Sequence, residues 1–139
     1  MRVVFADTAY WIALILRDDP WAEAADRATA ATGDARLVTT EEVLAEFLAG
    51  VSRAGRQTRR RAVEMVRQVL DDPDVSVVHQ SHESFIDGLN LYEARLDKQY
   101  SLTDCISMST MRGRRILAVL TNDHHFRQEG FVTLMSLRS

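Results

Sequence analysis

The sequence predicts an α/β fold, a three-layer sandwich in which a mainly parallel central sheet is flanked by helices. Three observations predict it. Short apolar, β-branched runs (RVVFA at 2–6, VSVV at 75–78, ILAVL at 116–120) alternate with longer stretches whose apolar residues recur at helical spacing. Strands separated by helices require crossover connections, and these give a parallel sheet covered on both faces. Finally, 139 residues with 46% hydrophobic side chains fit a single domain, 1–139, with its own core and no disulfide staple.

The elements follow in order. Residues 2–6 form a buried strand that stops at Asp7. Tyr10, Trp11, Leu14 and Ile15 then recur at helical spacing, so a helix begins just past Asp7. Pro20 suits the first turn of an alanine-rich helix from Trp21 to about Thr32. Gly33-Asp34 turns the chain into a short strand at Leu37-Val38. A third helix is predicted from about Thr40 to Arg53 and a fourth from about Gln57 to Leu70, with Gly55 between them and Pro73 beyond. Val75–Val78 is the next strand. Helices follow over about 84–96 and 103–112, then the strand 116–120, which ends at Thr121-Asn122-Asp123. A short helical turn carries Phe126, Gly130 breaks it, and 131–134 forms the last strand. Repeats, low-complexity stretches and linkers are not evident.

Bulk properties exclude some function classes. The net charge of -3 and pI near 5.8 do not describe a general, affinity-driven nucleic-acid binder. The charge is uneven, however: Arg53, Arg56, Arg59, Arg60, Arg61 and Arg67 are opposed only by Glu64, and Arg112, Arg114 and Arg115 form a second cluster. The run 53–67 reads as a solvated helix face, an RNA-backbone contact or a landing surface for an acidic partner. A lone cysteine, Cys105, fits a reducing compartment and a core position beside Ile106. The opening MRVVFADTAYWIALILRDD is broken by Asp7, lacks a cleavage site and is too short to span a bilayer, so a soluble cytoplasmic protein is expected.

Four acids carry the chemistry: Asp7, Glu46, Asp104 and Asp123. Parallel sheets bind ligands outside the carboxyl ends of their strands, where Asp7 and Asp123 fall. Asp104 lies in the first turn of a helix and Glu46 within one. Singly, each has a local explanation: Asp7 and Asp104 as helix caps, Asp123 as a turn residue, Glu46 as a solvated helix residue. Jointly they would raise one another's pKa unless a cation intervened. An all-oxygen donor set points to Mg²⁺ or Mn²⁺. Such an ion activates water and stabilises charge in phosphodiester hydrolysis. Glu42 lies one turn before Glu46 on nearly the same face, and periodicity does not choose between them. His124 and His125, being adjacent, face different directions and read as solvent-exposed rather than as ligands.

The segments FADTAYWIAL, LVTTEEVLAEF, SLTDCISM and LTNDHHF resemble, in order and across the whole chain, the four acidic motifs of PIN domains of the VapC-like toxin branch. In this resemblance Asp7-Thr8 matches the strand-ending Asp and its Thr. Glu46 matches the helix Glu in preference to Glu42, Asp104 the Asp after Ser-Leu-Thr, and Thr121, Asp123 and Phe126 the last motif. The resemblance implies a Mg²⁺- or Mn²⁺-dependent endoribonuclease that leaves 5′-phosphate and 3′-hydroxyl ends. Asp7, Glu46, Asp104 and Asp123 would hold the metal, and Thr121 or Thr8 would orient water or phosphate. It further implies a homodimer held inactive by a cognate antitoxin, which inserts near the acidic pocket and grips the hairpin of the third and fourth helices. The competing functional class is a non-catalytic PIN-like module that binds RNA or protein. A haloacid-dehalogenase-like phosphatase would need a second Asp where Ala9 stands, and a receiver domain a late lysine, whereas the only lysine is Lys98.

Overall fold

The first apolar run forms strand β1 (Val3–Ala6), and its neighbours build outward on both sides. With β2 (Arg36–Thr40), β3 (Val75–Val78), β4 (Ala118–Leu120) and β5 (Val132–Thr133), the sheet order is β3-β2-β1-β4-β5. Every adjacent pair is parallel, with Phe5 opposite Val38 on one side and Val119 on the other. The computed structural model describes residues 2–137; of the predicted 1–139 span, Met1, Arg138 and Ser139 lie outside the described residues.

Among the described residues seven helices surround the sheet: α1 (Thr8–Ile15), α2 (Ala22–Thr32), α3 (Glu41–Gly50), α4 (Arg56–Asp71), α5 (His82–Ala94), α6 (Leu102–Gly113) and α7 (His124–Gln128). The chain leaves β1 in one direction, through β2 to β3, and then returns to the other side of β1 for β4 and β5. Right-handed connections that reverse direction in this way supply helices to both faces. The reversal also places the topological switch point between β1 and β4, the position where open parallel sheets bind ligands.

The core is contiguous and runs through the sheet, with Phe5, Phe47, Met108, Met111 and Phe126 fully buried. Burial of each such side chain stabilises by roughly 1.5–3 kcal/mol. Tyr10 and Trp11 belong to this core and meet edge to face at 5.1 Å, and Cys105 is buried in the same core, as its position beside Ile106 predicts. No helix among the described residues is long and apolar enough to cross a membrane.

Several boundaries differ from expectation for identifiable reasons. Strand β2 continues to Thr40 because β3 pairs with it that far, Thr40 lying opposite Val78. There Thr39 Oγ1 donates to the Ala6 carbonyl (2.8 Å), and Thr40 Oγ1 caps α3 by accepting from Val43 N–H (3.0 Å). Strand β4 starts at Ala118, not Ile116, since Arg115 turns with φ 58° and the Ile116 amide donates to the Met111 carbonyl at 2.8 Å. Helix α5 begins two residues early, at His82, through a reciprocal cap between Ser81 and Ser84.

Helices α5 and α6 pack closely where Gly88 faces Ile106. A Cβ at Gly88 would lie 3.3 Å from the Ile106 amide nitrogen and press into the Ile106 side chain. Gly88→Val is therefore expected to destabilise the fold by about 1–3 kcal/mol, the cost of overpacking. Urea unfolding measures it; an unchanged midpoint would mean that α5 and α6 separate at no cost.

Candidate active site

Asp7 follows the central strand and is 4% exposed. It occupies the residue before α1 yet makes no side-chain cap. Instead Thr121 Oγ1, at the end of β4, donates to its Oδ2 at 2.8 Å. The strand ends are also joined by the Asp7 amide, which donates to the Leu120 carbonyl at 3.2 Å. Burial pushes the Asp7 carboxyl up to about 7. The Thr121 bond and the Thr8 amide oppose that rise, while the charges of Asp104 and Glu46 add to it.

Asp104 reaches the same place by another device. In the Ser101-Leu-Thr-Asp104 segment, Ser101 Oγ accepts from the Asp104 amide (3.0 Å) and Asp104 Oδ2 accepts from the Ser101 amide (3.1 Å). This reciprocal cap starts α6 and fixes the carboxylate. Asp104 is 9% exposed, and burial raises its pKa. The Ser101 bond lowers it, Asp123 and Glu46 raise it further, and His125 opposes them.

Asp123 caps α7, its Oδ1 accepting from the His125 amide at 2.9 Å. Its own amide donates to Thr121 Oγ1 at 3.1 Å. The fully buried Thr121 hydroxyl thus links Asp7 to Asp123 by donating to one and accepting from the other. Thr8 is buried, and its Oγ1 has no hydrogen-bond partner among the described residues.

Helix α3 separates the two glutamates that periodicity could not. Glu46 is half-buried and lies close enough to Asp7 and Asp104 for its charge to raise both pKa values. Glu42 turns to α5, accepting from Ser84 Oγ at 2.9 Å, and Glu41 accepts from the Gln80 amide at 2.7 Å. The structure therefore gathers Asp7, Glu46, Asp104 and Asp123 at the switch point, with Thr121 between them and Glu42 outside.

The expectation that both histidines face solvent holds for His124, whose side chain is 63% exposed, and fails for His125. The His125 side chain is only 19% exposed; its Nδ1 lies 3.3 Å from Asp123 Oδ1 and 3.7 Å from Asp104 Oδ2. The cap on α7 causes this, since binding the His125 amide to Asp123 folds the first turn back over its own cap. An Asp at a helix start, two residues before a His, was the sequence signal for it.

The donor set suits a hard divalent cation. Carboxylate oxygens dominate, Asp7 and Asp104 are both held against ionisation by burial and by neighbouring carboxylates, and His125 Nδ1 is buried without a hydrogen-bond partner among the described residues. Asp7, Glu46, Asp104 and Asp123 are the residues that would hold such an ion.

A wholly parallel sheet with a cluster of carboxylates at the switch point defines the class: an α/β domain with an acidic pocket at one sheet edge. The PIN domain family model matches residues 4–131, and the chain belongs to the PIN-domain family. Among solved structures it is similar to VapC20 of Mycobacterium tuberculosis, described as a sarcin–ricin loop cleaving toxin. That match has a TM-score of 0.85 at 24% identity and covers 96% of this chain and 99% of the other. It is also similar to FitAcB from Neisseria gonorrhoeae, with a TM-score of 0.64 at 15% identity over 94% of this chain and 96% of that one. At these identities the likeness is one of fold. No curated protein matches by sequence.

A pH dependence follows from Asp7. Its folded pKa of about 7 lies above the unfolded value near 3.8, so the neutral carboxyl favours the fold. That contribution is complete below about pH 4 and is lost as pH rises through about 7. In EDTA, Asp7→Asn should be more stable than the parent at pH 8, by up to about 4 kcal/mol at 1.36 kcal/mol per unit, and similar at pH 4. Thermal melts at the two pH values measure this; an equal difference at both would remove the burial argument.

Proposed function

We propose that this protein, acting as one domain over 1–139, is a metal-dependent endoribonuclease and the toxin of a toxin–antitoxin pair. The observation that carries the reading is the convergence of Asp7, Glu46, Asp104 and Asp123, two of them held against ionisation, at the sheet's switch point. Family membership supports it, as does the fold shared with VapC20.

A bound Mg²⁺ or Mn²⁺ would neutralise these carboxylates, polarise the phosphodiester and lower the pKa of the attacking water. The chain's own residues supply position. Thr121 holds Asp7 through Oδ2, the Ser101 amide holds Asp104 through Oδ2, and the His125 amide holds Asp123 through Oδ1. Each bonded oxygen keeps a second lone pair, so the bonds orient the carboxylates without exhausting them. Thr121 acts here as a positioning residue, because its hydroxyl is already committed on both sides. Thr8, with its buried unpartnered hydroxyl, is the better group to meet water or a phosphate oxygen. In hydrolysis water adds to phosphorus, the bond to the 3′ oxygen breaks, and that oxygen takes a proton, leaving 5′-phosphate and 3′-hydroxyl ends.

The antitoxin would seat on the α3–α4 hairpin. There Leu48, Val51 and Val63 floor a groove of about 430 Å³ rimmed by Arg56, Arg59 and Arg60. This part of the arginine run suits an amphipathic segment carrying acidic residues. A second copy would cover the face of α5, where Phe85, Leu89 and Tyr92 are exposed one helical turn apart and Leu96 extends the stripe.

Purified, partner-free protein should cleave RNA in Mg²⁺ or Mn²⁺ and stop in EDTA. Asp7→Asn and Asp104→Asn should each lower the rate by on the order of 100-fold or more. Undiminished cleavage by either variant would leave a non-catalytic RNA- or protein-binding module as the reading. Leu89→Arg should convert a dimer to a monomer in light scattering, while an unaltered mass would move the interface elsewhere.

A further inference from the structure

We propose that His125 is itself a metal ligand, contributing Nδ1 beside Asp104 and Asp123, so that the centre is a mixed nitrogen–oxygen site favouring Mn²⁺ over Mg²⁺. The inference rests on the metal-dependent reading above and adds a residue to it.

Geometry carries the assignment. His125 Nδ1 is buried and makes no hydrogen bond among the described residues, although carboxylate oxygens of Asp123 and Asp104 stand 3.3 and 3.7 Å away. A buried polar atom without a partner ordinarily costs about 1–3 kcal/mol. A shared cation removes that cost for nitrogen and carboxylates together. The spacings fit: with bonds of about 2.0–2.2 Å, ligands at right angles stand about 3 Å apart and opposite ligands just over 4 Å. Both observed separations fall between these limits.

The ring is also held in place. Tyr100 packs against it with centroids 5.2 Å apart, and the Tyr100 hydroxyl donates to Glu129 Oε2 at 2.8 Å. Glu129 is fixed in turn by Arg95 Nε (2.9 Å), following α5, and by an Arg112 guanidinium nitrogen (2.7 Å) from α6. This packing restricts rotation of the His125 ring. His124 has no comparable setting: its side chain is 63% exposed and its Nδ1 is 3.9 Å from Asp123 Oδ1. An imidazole nitrogen favours a transition-metal ion, whereas Mg²⁺ prefers oxygen alone.

The test is Mn²⁺ binding to the full-length, partner-free protein, read by electron paramagnetic resonance. Electron spin-echo modulation should detect imidazole ¹⁴N coupling in the parent and in His124→Ala, and no such coupling in His125→Ala. His125→Ala should weaken Mn²⁺ binding by on the order of 10- to 100-fold, with a smaller loss for Mg²⁺ measured by competition. Bound Mn²⁺ without nitrogen coupling in the parent would overturn the His125 assignment and leave the metal reading standing. The assignment falls equally if coupling survives in His125→Ala but disappears in His124→Ala. A parent protein that binds no Mn²⁺ would overturn both. The parent spectrum alone decides if His125→Ala fails to fold.

Discussion

The carboxyl edge of the sheet is organised around one costly group, the Asp7 carboxyl. It extends the central strand, so it enters the site from the most enclosed position the topology offers. A charge there loses hydration, and with Asp104 and Glu46 nearby it gains repulsion instead of compensation. The hydroxyl of Thr121, delivered by the adjacent strand, is too weak to reverse this. The carboxyl therefore stands at about 7. On the proposed reading, a bound cation would restore its charge, so metal binding and ionisation would be one equilibrium set by burial.

The other acids arrive by devices that are also structural. Asp104 lies in the first turn of α6 and accepts from the amide of its cap residue, Ser101. Asp123 is itself the cap of α7 and accepts from the His125 amide, so each pairs an N–H that would otherwise be left free. Using caps as site residues ties the positions of the carboxylates to the ends of rigid elements, which hold geometry better than loops do. The α3 acids divide the work: Glu46 faces the pocket, whereas Glu41 binds the Gln80 amide just before α5 and Glu42 binds Ser84 in its first turn.

This double use explains what was legible in the sequence. The apolar run at 2–6 marks the central strand because burial on both faces leaves a continuous hydrophobic signature, whereas the half-buried edge strand at 75–78 is marked by its valines. The Asp after the first run and the Ser-x-x-Asp before α6 announce their local roles directly. Joint roles are less visible, because β1 and β4 become neighbours only through a crossover spanning most of the chain. The Glu129 cluster is hidden for the same reason, its partners Arg112, Tyr100 and Arg95 lying 17, 29 and 34 residues away. For His125 the sequence misleads, because its carboxylate neighbour Asp104 lies 21 residues away in the chain and only the fold brings the two within 3.7 Å. The glutamates of α3 could not be ranked by periodicity, since both flank one stripe and Ser84 alone separates them.

Glu129 and Asp7 show what separates a structural carboxylate from a functional one in this fold. Both are largely buried, and burial alone would raise both pKa values. Around Glu129, two guanidinium groups and a tyrosine hydroxyl outweigh burial and hold it down at about 2. Its charge is satisfied by the protein and nothing further is needed. Around Asp7 stand a hydroxyl, an amide and other acids, and its pKa is driven the opposite way. The fold thus contains arginines able to neutralise a buried carboxylate, yet among the described residues none acts on Asp7. Compensation withheld where it is most needed, in a chain that supplies it elsewhere, is the physical ground for proposing that a cation would complete the acidic pocket.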